Sequence, residues 1–77
     1  MSSVEYLFAA SFYIADKVAR KQGWLPRRRP EWHKPDGTAV GFICLEEELA
    51  LVPPDVTVYV VGNAPAGYER KMVKLAA

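Results

Sequence analysis

The sequence predicts an α+β domain, and three observations lead to that prediction. Apolar residues recur at helical spacing in the first part of the chain, and β-branched residues dominate the second half. A proline–aspartate–glycine turn joins a short predicted strand to a longer, mainly apolar one. The chain of 77 residues, 51% of them apolar, fits a single compact domain over residues 1–77. We therefore expect one N-terminal helix packed on a three- to four-stranded antiparallel meander.

The helix is expected over about residues 3–22. Ser2 and Glu5 have the spacing of a capping box, in which each side chain satisfies a free amide at the helix start. Gly23 can adopt the positive φ that ends a helix. The expected apolar face consists of Val4, Leu7, Phe8, Ser11, Ile14, Ala15 and Val18.

Residues 24–30 form a connection rich in proline and arginine. Pro26 and Pro30 lack amide protons and bias the residues before them toward extended backbone, so a helix is disfavoured here. The segment is predicted to run along the surface.

The β region is expected over residues 31–75, beginning with a short strand that a turn over residues 35–37 joins to a longer one. Between the long strands, residues 46–51 fit either a short helix halted by two prolines or an extended segment. Residues 62–67 carry a glycine at each end and suit a hairpin loop. The predicted strands cover residues 31–34, 38–45, 56–61 and 68–75.

The strands over 38–45 and 56–61 are apolar on both faces. One helix covers only one face of a sheet, so the other face requires loops or a second chain. This pattern predicts a homo-oligomer or a bound partner at the uncovered sheet face.

Charge is unevenly distributed along the chain, although the net charge is only +1. Residues 17–34 carry seven basic residues against Glu31 alone, which gives 7 − 1 = +6. The remaining residues carry three basic and eight acidic side chains, which gives 3 − 8 = −5. A polarised chain of this kind indicates one basic and one acidic surface.

Reactive chemistry has little support in the sequence. Cys44 is the only cysteine and His33 the only histidine, which excludes an internal disulfide, a cysteine zinc site and a multi-histidine cluster. Cys44 is interpreted as a small buried apolar residue and His33 as a surface residue near a turn. No orienting group or oxyanion motif accompanies them to suggest a nucleophile and its base. We expect no catalytic residue, no metal and no cofactor.

Membrane insertion and export are also not indicated. The longest uncharged N-terminal run, residues 6–15, is far shorter than the roughly 20 residues that span a bilayer. Glu5 occupies a position where a signal peptide carries positive charge. We expect a cytoplasmic protein, and one unpaired thiol fits a reducing compartment.

The strongest candidate for a binding surface is the run Arg27-Arg28-Arg29 between Trp24 and Trp32. Arginine binds phosphate and carboxylate in bidentate fashion, and tryptophan stacks on bases and guanidinium groups. The alternative is a solvated loop whose tryptophans cover the open sheet face.

Other polar groups have two interpretations each. Tyr6 and Tyr13 on the helix flank, beside Lys17, would belong to an interface, or would wrap the edge of the core. Tyr13, Lys17 and Arg20 would extend the surface formed by the arginine run. Glu46, Glu47 and Glu48 would bind a basic partner, or form a solvated helix start.

Residues 45–58, LEEELALVPPDVTV, resemble a segment of small accessory proteins of bacteriophages, in which a short acidic helix ends at proline and leads into a valine- and threonine-rich strand. Asp55 departs from that pattern, where a glycine is usual. The resemblance implies a compact protein that binds and modulates a host macromolecule, as anti-defence proteins and transcription modulators do.

The sequence thus favours a non-enzymatic binding protein that docks on a larger protein or ribonucleoprotein with an acidic surface and inhibits or redirects it. The candidate contact residues are Trp24, Arg27, Arg28, Arg29, Trp32, Tyr13, Lys17 and Arg20. Nucleic-acid or nucleotide binding by the same residues is the first alternative. A purely structural oligomer subunit is the second.

Overall fold

A computed structural model of the chain describes residues 4–62 and 72–76. In this part of the chain six strands form one mixed sheet in the order β2-β3-β4-β1-β5-β6. The α+β class is confirmed. The elements are β1 (Val4–Phe8), α1 (Phe12–Lys21), β2 (Leu25–Pro26), β3 (Glu31–His33), β4 (Ala39–Ile43), α2 (Glu46–Leu49), β5 (Val58–Val61) and β6 (Met72–Leu75).

The helix expected over residues 3–22 is in fact a strand followed by a shorter helix. Residues 4–8 form β1, and α1 begins only after Ser11, whose Oγ accepts a hydrogen bond from the Ile14 amide at 3.3 Å. A central strand is apolar on both faces, so its sequence has no polar alternation that distinguishes it from a helix. The capping-box prediction for Glu5 is therefore wrong, since Glu5 lies within β1.

The expected antiparallel meander is also wrong. Strand β1 lies between β4 and β5 and is parallel to both, and β6 is parallel to β5. Only β2, β3 and β4 pair antiparallel. Parallel pairing of β5 with β6 rules out the hairpin expected over residues 62–67, most of which lie outside the described residues.

The two helices contribute to separate cores on opposite faces of the sheet. On the α1 face, Ala15 and Ala19 of the helix belong to one buried cluster with Leu7, Trp32 and Val40. On the α2 face the buried residues are Ile43, Leu49, Val52, Val58 and Val60. The sheet face that was expected to need a second chain is thus covered in part by α2 and the turn after it.

Several local predictions are confirmed. The turn over residues 35–37 joins β3 to β4: Gly37 has φ 91°, and the Asp36 Oδ1 accepts from the Thr38 amide at 2.9 Å. Gly23, with φ 86°, ends α1, and residues 46–49 are helical.

The proline- and arginine-rich connection differs in containing β2. Of the last predicted strand, residues 72–75 are extended, while residues 68–71 lie outside the described residues. No described helix is long and apolar enough to cross a bilayer.

Candidate functional site

The three consecutive arginines lie in the turn of a β-hairpin at one edge of the sheet. Strands β2 and β3 pair antiparallel, with Pro26 opposite Trp32. The Arg27 amide donates to the Glu31 carbonyl at 3.0 Å, and the Glu31 amide donates to the Arg28 carbonyl at 2.7 Å. These bonds hold the turn, and all three arginines in it are exposed.

The two tryptophans of the predicted surface are buried instead. Trp32 is 0% exposed, stacks on Phe12 with ring centroids 5.5 Å apart, and donates from Nε1 to the Asp16 Oδ1 at 2.9 Å. Trp24 is 7% exposed and packs edge-on against Tyr59 at 4.9 Å. Because their rings fill the core on the α1 face, neither is available to a partner, and their inclusion among the contact residues is wrong.

Arg29 faces the α1 side of the hairpin. Its guanidinium carbon lies 4.6 Å from the centroid of the Phe12 ring, a cation–π contact. The same ring stacks on Trp32, so the buried indole supports the residue on which Arg29 rests. The tryptophan therefore positions the cation without touching solvent itself.

Asp16 lies among these positive charges. The Trp32 indole N–H, followed by Arg20, lowers the pKa of the Asp16 carboxyl, and the charge of Arg29 adds to the effect. The Arg20 Nε donates to the Asp16 Oδ2 at 2.9 Å. One carboxylate thus binds the helix to the hairpin strand and keeps Arg20 on the side of α1 nearest Arg29.

The exposed face of α1 extends this region. At 100° per residue, Tyr13 and Lys17 follow Arg20 around the helix, away from the buried residues. Tyr13 is 76% exposed. We call Tyr13, Lys17, Arg20 and Arg29 the basic surface; among the described residues, Asp16 is the only carboxylate that pairs with any of them.

Arg27 lies on the opposite face of the sheet. Together with Glu31 it lines a groove of about 330 Å³ whose floor is formed by Gly41 and Ala39 and one wall by Tyr6. A Cβ on Gly41 would lie 3.0 Å from the Tyr6 ring, so a side chain there would displace the tyrosine. The arginine run is therefore divided between the two faces and does not form one patch. The hydrogen bond of Arg28 involves its backbone carbonyl, so its side chain is assigned to neither face.

A second polar cluster lies at the start of the parallel strands. Lys34 Nζ donates to the Glu5 Oε1 at 2.8 Å and to the Tyr59 hydroxyl at 2.9 Å, and that hydroxyl donates to the same carboxylate oxygen at 2.9 Å. Each member is satisfied by the other two. The cluster joins the β3–β4 turn to β1 and β5, which is a structural role.

The remaining candidates for chemistry do not assemble. His33 pairs with Ala39 at the start of β4, whereas Cys44 follows the end of that strand, so the two lie at opposite ends. Within residues 4–62 and 72–76, no group of three or more histidine, cysteine, aspartate or glutamate side chains is placed to hold a metal ion.

Asp16 and Phe12 were not among the residues predicted from the sequence, and together they position Arg20, Arg29 and Trp32. The spacing of Asp16 and Arg20, four residues apart on a helix, is a signal that was present in the sequence. The contact of Phe12 with the hairpin had no comparable signal. Comparison with protein-family models, curated proteins and solved structures finds no match to this chain.

Proposed function

We propose that this chain is a non-enzymatic binding protein that docks through the basic surface on an acidic region of a larger protein or ribonucleoprotein, and so inhibits or redirects it. The observation that carries the proposal is the arrangement of Arg29, Arg20 and Lys17 beside an exposed tyrosine. Arginine and tyrosine are the residue types that supply most of the affinity in protein interfaces.

The support beneath these residues favours binding. Arg29 rests on Phe12 and Arg20 on Asp16, so both cations are held in place before a partner arrives. Preorganised side chains lose less conformational entropy on association than freely rotating ones.

The resemblance of residues 45–58 to bacteriophage accessory proteins agrees with a modulating role, for example as an anti-defence protein or a transcription modulator. That segment contains α2 and the approach to β5, and it shares no residue with the basic surface.

The test compares two double variants that each remove two positive charges. Lys17→Ala with Arg29→Ala changes the basic surface, whereas Arg27→Ala with Lys74→Ala changes the opposite face and the far edge of the sheet. Each variant, with the unaltered chain, is used as bait in nuclease-treated host lysate, and bound proteins are identified by mass spectrometry. We expect the first variant to capture at least about tenfold less of the main partner bound by the unaltered chain. Equal capture by both variants would contradict the proposal.

Nucleic-acid binding is a second candidate, because an exposed tyrosine among cations can stack on a base. Fluorescence anisotropy with a labelled single-stranded oligonucleotide distinguishes nucleic-acid binding from docking on a protein. This candidate predicts that each phosphate contact contributes about −0.7 to the slope of log K against log salt concentration. It also predicts that Tyr13→Ala weakens binding, and an absence of binding at low salt rejects it.

A further inference from the structure

The α2 face of the sheet is covered most completely at one end. Helix α2 follows β4 and packs at its carboxyl end, where Ile43 is buried. Toward the amino ends of β1 and β4, apolar side chains of the same face are exposed, Val4 by 43% and Leu25 by 57%. Leu25 belongs to this face because it lies opposite His33, which in turn lies opposite Ala39 in the groove described above. This end of the face is therefore accessible to a partner.

The groove at this end carries one positive and one negative side chain. Arg27 and Glu31 lie opposite each other in the hairpin, since the Arg27 amide bonds to the Glu31 carbonyl, and both line the groove. Among residues 4–62 and 72–76, neither side chain takes part in an ion pair or in a side-chain hydrogen bond. The other described lining residues are uncharged. Two opposite charges are thus available to whatever covers the groove.

The floor of the groove allows another chain to come close. Gly41 has no side chain and Ala39 has only a methyl group, so a partner can approach the backbone of β4. Tyr6 forms the wall toward the buried cluster on the same face. The groove is therefore bounded by the core on one side and by the two charges on the other.

We propose that this face is an interface between two copies of the chain related by a two-fold axis. In such an interface the same patch faces itself, and every contact occurs twice. A patch with one cation and one anion is self-complementary, because Arg27 of each copy can bind Glu31 of the other. A uniformly acidic or basic partner would instead face one like charge. The net charge of only +1 adds little repulsion between the copies.

The two kinds of contact have different roles. Burial of Leu25 and Val4 supplies the attraction, and the crossed ion pairs fix the orientation of the copies. The proposal goes beyond the proposed function, because the basic surface lies on the α1 side and shares no residue with the groove. A dimer formed in this way presents two copies of the basic surface, one on each outer side.

Sedimentation velocity of the unaltered chain over a concentration series tests self-association. The mass should rise from 8.6 kDa toward twice that value as the concentration increases. A chain that remains monomeric at about 1 mM overturns the proposal.

Charge reversal tests the pairing itself. Arg27→Glu makes both charges of the groove negative, and Glu31→Arg makes both positive. Each variant alone should associate about a hundredfold more weakly than the unaltered chain, since like charges then face each other. An equimolar mixture should recover the dimer, because the acidic groove of one variant faces the basic groove of the other. Lys74→Glu, at the far edge of the sheet, changes the net charge as Arg27→Glu does and should leave association unchanged.

The proposal fails if Arg27→Glu associates as the unaltered chain does, or if the mixture of two folded variants stays monomeric. Circular dichroism verifies the fold of each variant. Arg27 is exposed whereas Glu31 is half-buried, so Arg27→Glu decides the question by itself should Glu31→Arg not fold. These measurements use the isolated chain and are independent of the partner capture that tests the basic surface.

Discussion

The α1 face and the α2 face of the sheet are built from different side chains. The α1 face packs a ten-residue helix against aromatic rings from β3, β4 and β5, with Phe12 and Trp32 stacked at its centre. The α2 face packs a four-residue helix against branched aliphatic side chains such as Val58 and Ile43. Aromatic rings carry directional contacts to Asp16 and Arg29, whereas aliphatic contacts have little direction. One face therefore positions surface groups, and the other mainly closes the core.

The largest effect is expected for Trp32→Ala on the α1 face. Truncating a fully buried tryptophan should cost about 3–5 kcal/mol, which is most of the stability of a domain this small. Urea denaturation followed by circular dichroism measures the loss. Trp32→Phe is the control, since it keeps a ring against Phe12 but loses the hydrogen bond to Asp16; it should cost clearly less.

Leu49→Ala on the α2 face is expected to cost less than Trp32→Ala. Leu49 is fully buried, so the loss should be about 2–3 kcal/mol, near the lower end for a leucine, because a short helix can move inward to fill the space. Binding through the basic surface should remain unchanged in the folded fraction. If this variant is the less stable of the two, the comparison between the faces is wrong.

Lys34→Met should lower stability by about 1 kcal/mol at neutral pH, as expected for a partly exposed charged hydrogen bond. The bond to Glu5, followed by that to Tyr59, raises the pKa of Lys34, and burial raises the pKa of the Tyr59 hydroxyl. A group whose pKa is raised by folding stabilises the fold at pH values below its pKa in the unfolded chain. That stabilisation disappears as the pH rises through its pKa in the folded chain.

The unaltered chain should therefore lose stability above about pH 10, where lysine and tyrosine titrate. Thermal unfolding at a series of alkaline pH values should show a shallower decline for Lys34→Met than for the unaltered chain. Parallel declines would mean that the cluster does not contribute to the alkaline transition.

The smallest effect is expected for Asp16→Asn, at about 0.5 kcal/mol, since an amide oxygen can still accept from the Trp32 indole. The Trp32 hydrogen bond is the main cause of the lowered pKa of Asp16. A group with a lowered pKa stabilises the fold above its unfolded value, about 3.9 for aspartate, and that contribution is lost as pH falls through the folded value. Thermal unfolding between about pH 5 and 2 should therefore depend less on pH in the variant; an unchanged profile would contradict this role.

Local signals in the sequence predicted local structure well. Gly23 and Gly37 have the positive φ that their turns require, and Pro35 and Asp36 belong to the turn that joins β3 to β4. These features depend on a few adjacent residues, so the sequence contains the relevant information. The order of the strands does not depend on adjacent residues, because β1 pairs with residues far along the chain. The apolar run in residues 4–8 has the composition of a buried segment and does not reveal which neighbours bury it.

The candidate site likewise has features that the local sequence indicates and features that depend on the pairing of distant segments. The sequence indicated Arg29, Arg20, Lys17 and Tyr13 as candidates. The last three lie on the exposed part of α1, and Arg29 contacts Phe12 at the start of the same helix. The sequence could not show that Arg27 faces the other way, because alternation along a hairpin depends on the register between β2 and β3. Nor could it show that Trp32 is buried, since an indole beside arginines in sequence suits both a core and an interface. The groove on the α2 face required the strand order and had no linear signal.

The central position of β1 has a consequence for how the chain is made. Tyr6 lies between Gly41 on one side and Val58 on the other, so both neighbours of this strand are synthesised long after it. A nascent chain that ends before β5 holds an apolar strand with one open edge, which invites pairing with other chains. Completion of the sheet must wait for the last third of the sequence, so one edge of β1 stays unpaired in any shorter chain.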